Sequence, residues 1–169
     1  MRRHDALLSF CAENLGVAQG RLTLARDAFS APLLLLDGAE TAWRVSSASR
    51  DNIALFGLAR GKIGVDVELS SAAEPAWNVL HEEEKAALRA LPRERQSEEF
   101  LRLWTAKEAY LKALGLGLRR EPSEIYVLAE PGPFKILDRG REIATREARF
   151  WGEKVGERPA LCACVVLPA

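Results

Sequence analysis

The 169-residue sequence has only two histidines, His4 and His81, and only three cysteines. So few histidines argue against a histidine-based catalytic triad and against a multi-histidine metal site. The cysteines, Cys11, Cys162 and Cys164, are odd in number and lack the C-x-x-C spacing, which argues against a disulfide framework and against a zinc ribbon. Three unpaired thiols indicate a reducing compartment, and we expect a cytoplasmic protein.

The chain also lacks an excess of charge of either sign and lacks long apolar runs. Lys and Arg together number 24, as do Asp and Glu, so the net charge is zero. This balance gives no reason to expect a nucleic-acid partner or a membrane surface as partner. No apolar stretch approaches the length of a membrane span, and the first residues, "MRRHDALLSFCAENLG", do not resemble a signal peptide.

Hydrophobic periodicity predicts a mixed helix and strand chain. Apolar residues at helical spacing predict a helix over residues 5–17 that Gly16 ends, and Pro75 and Pro92 bracket a second helical region. The longest helix is predicted over residues 97–115, with Gly115 at its C′ position. The remaining periodic segments alternate in the manner of strands, with hairpin signals at Asp37-Gly38 and at Arg60-Gly61.

The order of these elements predicts an α+β fold in a single domain, residues 1–169. Each part of the chain runs from helix into several strands, and the apolar strand "NIALFGLAR" is loosely similar to "PALCACVVL" near the end. We therefore expect two similar α/β halves related by a pseudo-two-fold axis, half one at about 1–70 and half two at about 71–169.

The strand "KIGVDVELS" carries two acidic residues in alternation. Alternate side chains of a strand share a face, so Asp66 and Glu68 point one way while Val65 and Val67 point the other. Two carboxylates on one face can converge on a hard cation. A half-exposed strand with its acidic residues in solvent gives the same pattern, so the spacing alone leaves both interpretations open.

The predicted helix "LRLWTAKEAYLKALG" is apolar almost all round but holds Lys107, Glu108 and Lys112. Trp104, Glu108 and Lys112 are four residues apart and form one stripe along the helix. Burying a charge without a partner costs several kcal/mol, so these charges need an explanation. An ordinary contact between Glu108 and Lys112 is one such explanation.

Together, "GVDVE" and "WTAKEAYLK" resemble the paired motifs of the 4′-phosphopantetheinyl transferase superfamily, in its two-half type. The resemblance extends to "KALGLGL", to "RVSSASRDNIALFGLA" and to the closing "RFWGEKVGERPALCACVV", and so covers most of the chain. It implies the Mg²⁺-dependent transfer of the 4′-phosphopantetheine arm of coenzyme A to a serine of an apo-acyl or peptidyl carrier protein. It also implies a monomer, since two halves in one chain would form a pseudo-dimer.

The resemblance implies roles for five residues. Asp66, Glu68 and Glu108 would be the metal ligands, and Glu108 would also accept the proton of the carrier serine. Lys112 would bind the diphosphate and stabilise the leaving nucleotide, with Lys107 as a second positive group beside the phosphates. Attack on phosphorus requires this neutralisation of charge on the phosphate oxygens.

The sequence departs from the family where coenzyme A is expected to bind. Ser47, within Ser46-Ser47-Ala48-Ser49, stands where the family has a histidine that contacts a coenzyme A phosphate, and Ser30-Ala31-Pro32 lacks the family's lysine. We expect Ser47, Ser49 and Arg50 to contact coenzyme A, with Arg2 and Arg3 as substitutes for the missing basic groups. Two hypotheses follow: a working transferase with a rearranged coenzyme A site, or a non-catalytic relative that binds carrier proteins or coenzyme A.

Overall fold

The computed structural model describes residues 3–28, 31–70, 74–116, 119–129, 133–155 and 158–168. Within these ranges the α-helices are α1 (Arg3–Leu15), α2 (Glu82–Ala90) and α3 (Arg93–Leu114). The strands are β1 (Leu22–Arg26), β2 (Pro32–Leu36), β3 (Ala39–Arg50), β4 (Ile53–Ala59), β5 (Ile63–Leu69), β6 (Ile125–Leu128), β7 (Lys135–Asp138), β8 (Arg141–Glu142), β9 (Glu147–Val155) and β10 (Arg158–Val166). Short 3₁₀ turns lie at Gln19–Arg21, Trp77–Val79 and Pro122–Glu124. The α+β class is confirmed.

The strands form three antiparallel sheets. The first has the order β1-β2-β3-β4, the second β5-β10-β9 and the third β6-β7-β8. The last strands of the two expected halves, β5 and β10, pair with each other, with Asp66 opposite Ala163. This pairing joins the two parts of the chain at the centre of the molecule, while the boundary between halves at about residue 70 stays a prediction.

One of the two predicted hairpins is present. Asp37 and Gly38 both have positive φ, 51° and 81°, as a two-residue turn between β2 and β3 requires. The prediction of a hairpin at Arg60-Gly61 is wrong, because β4 and β5 belong to different sheets. Gly61 instead lies against the backbone of the C-terminal segment, where a Cβ would stand 2.3 Å from the carbonyl oxygen of Leu167.

The helix ends follow local chemistry. Gly16 and Gly115 end α1 and α3 with φ values of 66° and 72°, as the sequence predicted. The single helical region expected between the two prolines is instead a 3₁₀ turn followed by α2. His81 caps α2, since its Nδ1 accepts from the backbone N–H of Glu83 while Glu84 accepts from the backbone N–H of His81.

Strand β5 is buried on both faces. Val65 and Val67 pack on apolar residues of the neighbouring strands, whereas Asp66 and Glu68, 5% and 8% exposed, lie on the opposite face with α3. The interpretation of β5 as a half-exposed strand with acidic residues in solvent is therefore wrong. Among the described residues, no helix has the length and apolar character needed to cross a membrane.

Candidate active site

At Gly64 the backbone of α3 comes very close to the backbone of β5. A Cβ on Gly64 would stand 1.8 Å from the carbonyl oxygen of Ala109 and 2.5 Å from the backbone nitrogen of Ala113. The backbone of α3 therefore rests directly on β5 at this point. Glu108 and Lys112 flank the contact on α3 and are carried to the acidic face of β5.

Lys112 and Asp66 form an ion pair between these two elements. Lys112 Nζ donates to Asp66 Oδ1 at 2.6 Å and to the carbonyl oxygen of Val65 at 3.2 Å. The other carboxylate oxygen, Asp66 Oδ2, is buried and has no hydrogen-bond partner in the described residues. Because a buried acceptor without a partner is costly, this oxygen is open to a ligand.

Glu108 is half-buried beside this pair. Burial raises the pKa of its carboxyl above the ordinary value; the Asp66 carboxylate raises this pKa further, and Lys112 opposes both effects. The pKa of Asp66 is also raised, mainly by burial, although Lys112 lowers it. Asp66 and Glu108 therefore interact electrostatically as two poorly solvated acids, and their sharing of one cation stays a prediction.

Glu68 has a different partner. Arg50 Nε donates to Glu68 Oε2 at 2.7 Å and Arg50 Nη2 donates to Glu68 Oε1 at 2.5 Å, a bidentate pair. Within the described residues, no three Asp, Glu, His or Cys side chains are arranged to hold a metal ion. The expected set of three carboxylates around one ion is therefore not found, because Glu68 is turned to Arg50.

Arg50 lies on the face of β3 away from Ser47. On the same face as Arg50, Ser46 Oγ accepts a hydrogen bond of 3.1 Å from the backbone N–H of Val65 and so links β3 to β5. The hydrogen bond to Glu68 raises the pKa of Arg50, and the charges of the Glu68, Asp66 and Glu108 carboxylates raise it further. Arg50 therefore lies with the acidic residues Asp66, Glu68 and Glu108, and its contact with coenzyme A stays a prediction.

Ser47 lines a cavity of about 950 Å³ between α1, the first sheet and the end of α3. The polar residues of its lining are Arg3, His4, Arg26, Ser46, Ser47, Lys112 and Arg119. No acidic residue occurs among the described residues of this lining. The cavity is strongly basic and is suited to a ligand with several negative charges.

Two of the expected coenzyme A contacts are at this cavity or next to it. Ser47 is part of the lining, and Ser49 accepts a hydrogen bond of 3.0 Å from Nη1 of Arg3, which is itself in the lining. Ala31 and Pro32 also line the cavity, while Arg2 and Ser30 lie outside the described residues. Arg3 therefore lies in the same cavity as Ser47, and its role as a substitute for the missing basic groups stays a prediction.

The sequence analysis missed three residues of the cavity. These are His4, which is exposed at the cavity, together with Arg26 and Arg119. They come from α1, from the end of β1 and from the segment after α3. No local pattern marks such residues, because only the tertiary fold brings these segments together.

Lys107 is not at the site, and the role predicted for it beside the phosphates is wrong. Its side chain is fully buried, and Nζ lies 2.6 Å from Glu84 Oε2. It also donates to the carbonyl oxygens of Val79 and Pro122, at 2.9 and 3.0 Å. Successive side chains of an α-helix point in directions about 100° apart, so Lys107 points away from the stripe that holds Glu108 and Lys112.

A Mg²⁺ ion fits part of this donor set. Asp66 offers a buried oxygen without a partner, and Glu108 is a second carboxylate beside it. Mg²⁺ keeps several waters and commonly uses one or two carboxylates together with substrate phosphates. Asp66 and Glu108 fit this requirement, whereas both oxygens of Glu68 are engaged by Arg50.

Comparison with known proteins identifies the family of this chain. Residues 62–165, which include β5 and α3, match the 4′-phosphopantetheinyl transferase superfamily, and the chain belongs to this superfamily. It is 30% identical over 135 residues to the 4′-phosphopantetheinyl transferase HetI of Nostoc sp., a match that covers 77% of this chain. The chain spans 57% of the length of HetI. The holo-[acyl-carrier-protein] synthase AcpS of Thermotoga maritima is similar with a TM-score of 0.44 and 19% identity, over 62% of this chain and 64% of the synthase.

Proposed function

We propose that this chain transfers the 4′-phosphopantetheine arm of coenzyme A to a serine of an apo-carrier protein, with Mg²⁺ as cofactor. The observation that carries the proposal is the position of Lys112. Its ammonium group pairs with Asp66 in the acidic cluster, and its side chain also lines the basic cavity. A ligand with a nucleotide in the cavity would therefore place its diphosphate beside the carboxylates.

The basic cavity suits the nucleotide part of coenzyme A. This part of the ligand carries a diphosphate and a 3′-phosphate, and it requires positive charge at both places. Arg3 and Ser47 lie at the β3 side of the cavity, and Lys112 lies at the side toward β5. The absence of carboxylates from the described lining avoids repulsion of the phosphates.

The reaction would break the bond between the pantetheine-side phosphorus and the oxygen of the 3′,5′-ADP leaving group, while the serine oxygen bonds to that phosphorus. Glu108 would take the serine proton, directly or through a water molecule, as the general base. Lys112 would stabilise the charge that develops on the leaving nucleotide. A Mg²⁺ ion held by Asp66 and Glu108 would neutralise charge on the diphosphate oxygens.

The proposed setting is the cytoplasm, where coenzyme A and carrier proteins would be the partners of a monomer. All three cysteines, Cys11, Cys162 and Cys164, are buried and free, and burial raises the pKa of each thiol to about 11. Thiols that stay protonated react slowly, so they would not interfere with a thiol-bearing substrate.

The test is a transfer assay. The protein is incubated with coenzyme A, Mg²⁺ and a panel of apo-carrier proteins, and mass spectrometry measures the added arm. The proposal is supported if the wild type adds the arm to a carrier protein, Glu108→Gln does not, and Lys107→Met/Glu84→Gln still does. A protein that binds coenzyme A but modifies no carrier in the panel would instead be the non-catalytic relative.

A further inference from the structure

The acidic cluster consists of Asp66, Glu68 and Glu108, and its carboxylates differ in how many of their oxygens already have a hydrogen-bond partner. Arg50 occupies both oxygens of Glu68 through two short hydrogen bonds, and the side chain of Glu68 is only 11% exposed. Asp66 uses one oxygen for Lys112 and leaves the other buried without a partner in the described residues. The oxygen available to a ligand is therefore on Asp66.

Moving Glu68 to a dication would have a large electrostatic cost. It would remove a bidentate partner from the Arg50 guanidinium and would leave that positive charge close to the new ion. The bonds to Glu68 use two of the five N–H groups of Arg50, Nε–H and one of Nη2. The remaining three are on a side chain that is 52% exposed, so Arg50 can meet an anionic ligand without releasing Glu68.

We propose that Glu68 is a positioning residue that holds Arg50 at the edge of the acidic cluster, and that Asp66 and Glu108 alone hold the metal. This rests on the proposed function, because it assigns the ligands of its cofactor. Two carboxylates with diphosphate oxygens and water satisfy Mg²⁺. Arg50 then supplies a fixed positive charge beside the phosphates, at the end of the site away from the nucleotide cavity.

Two charge-neutral double variants test the proposal. Arg50→Met/Glu68→Gln removes one ion pair of the cluster, and Lys112→Met/Asp66→Asn removes the other as a matched control. Mn²⁺ is titrated into each protein with saturating coenzyme A, and the electron paramagnetic resonance signal of free Mn²⁺ gives the affinity. A titration of coenzyme A without protein corrects for binding to the ligand itself.

We expect the control to lose about tenfold more Mn²⁺ affinity than the first variant, because only the control removes a metal ligand, whereas the first variant removes a group outside the coordination shell. Equal losses in the two variants would make Glu68 a ligand and overturn the proposal. If the wild type binds neither coenzyme A nor Mn²⁺, the proposed function itself fails, which is a different outcome.

A measurement on the wild type does not depend on the folding of any variant. The ¹⁵N–¹H resonance of Arg50 Nε, assigned with Arg50→Lys, is followed while Mg²⁺ is added in the presence of coenzyme A. If Glu68 keeps Arg50, the resonance stays protected from exchange with water at saturating Mg²⁺. If the Arg50 Nε resonance disappears through exchange, or shifts to the position of a solvated arginine, Glu68 no longer pairs with Arg50 and binds the metal instead, which would overturn the proposal.

Discussion

Gly64 lies directly beneath the carbonyl group of Ala109, so that a Cβ on Gly64 would stand 1.8 Å from the carbonyl oxygen. This contact sets the distance between β5 and α3, and with it the distance between Asp66 and Lys112. Glycine is required here by the approach of one backbone to another, because its φ is not in the left-handed region.

Gly64→Ala should therefore destabilise the fold strongly. The added methyl group meets backbone atoms on α3, which cannot move without shifting the helix, so we expect a loss at or above the upper end of the about 1–3 kcal/mol typical of overpacking. Urea unfolding measures it. Gly57→Ala is the matched control, since the nearest atoms to a Cβ there belong to the side chains of Ile63 and Val65, at 2.8 Å, and not to the backbone. A smaller loss at Gly64 than at Gly57 would contradict this account of the contact.

The buried pair of Lys107 and Glu84 leads to a prediction on stability. Lys107→Met leaves Glu84 as a buried charge without a counter-ion and should cost about 3–5 kcal/mol. Glu84 also accepts from the backbone N–H groups of His81 and Val127, at 2.9 and 2.8 Å. Lys107→Met/Glu84→Gln should regain part of the loss, because the amide keeps an acceptor without the charge. Chemical unfolding of the three proteins checks this.

The same double variant tests whether Lys107 is remote from the phosphates. Its coenzyme A affinity, measured by calorimetry, should equal that of the wild type, whereas Lys112→Met should weaken binding. Equal weakening in both proteins would return Lys107 to the site. The contrast is sharp because the two lysines lie on the same helix and carry the same charge.

The sequence was sufficient to predict which acidic and basic side chains share a face of β5 or α3, but not which residues from other segments pair with them. The alternation of Asp66 and Glu68 and the four-residue spacing of Glu108 and Lys112 are local periodicities, so the shared faces could be predicted. Lys107 belongs to the same motif, but its partner Glu84 lies on another helix, and periodicity does not reveal partners. Family resemblance therefore assigned it to the phosphates incorrectly.

The strand pairing had a similar limit. Arg60-Gly61 has the composition of a hairpin turn, yet the glycine serves the close passage of Leu167. Likewise, the basic lining of the cavity combines Arg3, Arg26 and Arg119 from three separate segments. The strand pairing around Gly61 and the basic lining of the cavity both depend on contacts between segments that are distant in the sequence, so no local sequence pattern predicts them.

Glu108→Gln should stabilise the metal-free protein at neutral pH. The pKa of Glu108 is raised in the folded state, first by burial and then by Asp66, so the folded state favours the protonated acid. A raised acid pKa gives stability that is fully present below the unfolded value of about 4.3 and is lost as the pH rises through the folded pKa. The neutral amide does not undergo this loss.

Melting temperatures of the wild type and Glu108→Gln, measured with a chelator from pH 4 upward, check the sign. The variant should gain relative to the wild type as the pH rises, and the difference should level off above the folded pKa. Glu13→Gln, an exposed change on α1, is the control for the loss of one carboxylate. A difference that shrinks with rising pH would mean that Glu108 is stabilised as a carboxylate in the folded protein.

Restoring the family's histidine, as Ser47→His, tests the assignment of the cavity. Ser47 lines the cavity and can give a phosphate one neutral hydrogen bond, whereas a histidinium would give a charge-assisted bond about twice as strong. We expect coenzyme A to bind more tightly by roughly 1–2 kcal/mol, measured by calorimetry near pH 6, where the imidazole is largely charged. Dephospho-coenzyme A, which lacks the 3′-phosphate, is the control ligand and should gain much less.

The kinetic consequence of Ser47→His separates the two hypotheses for the chain. The 3′-phosphate is remote from the reacting phosphorus, so its contact would be similar in the ground state and the transition state, and the change should lower KM with little effect on kcat. A non-catalytic relative would gain affinity and still modify no carrier protein. Unchanged affinity for coenzyme A would mean that Ser47 does not meet the nucleotide, although it lines the cavity, and would place the ligand's phosphates nearer to Arg26 and Arg119.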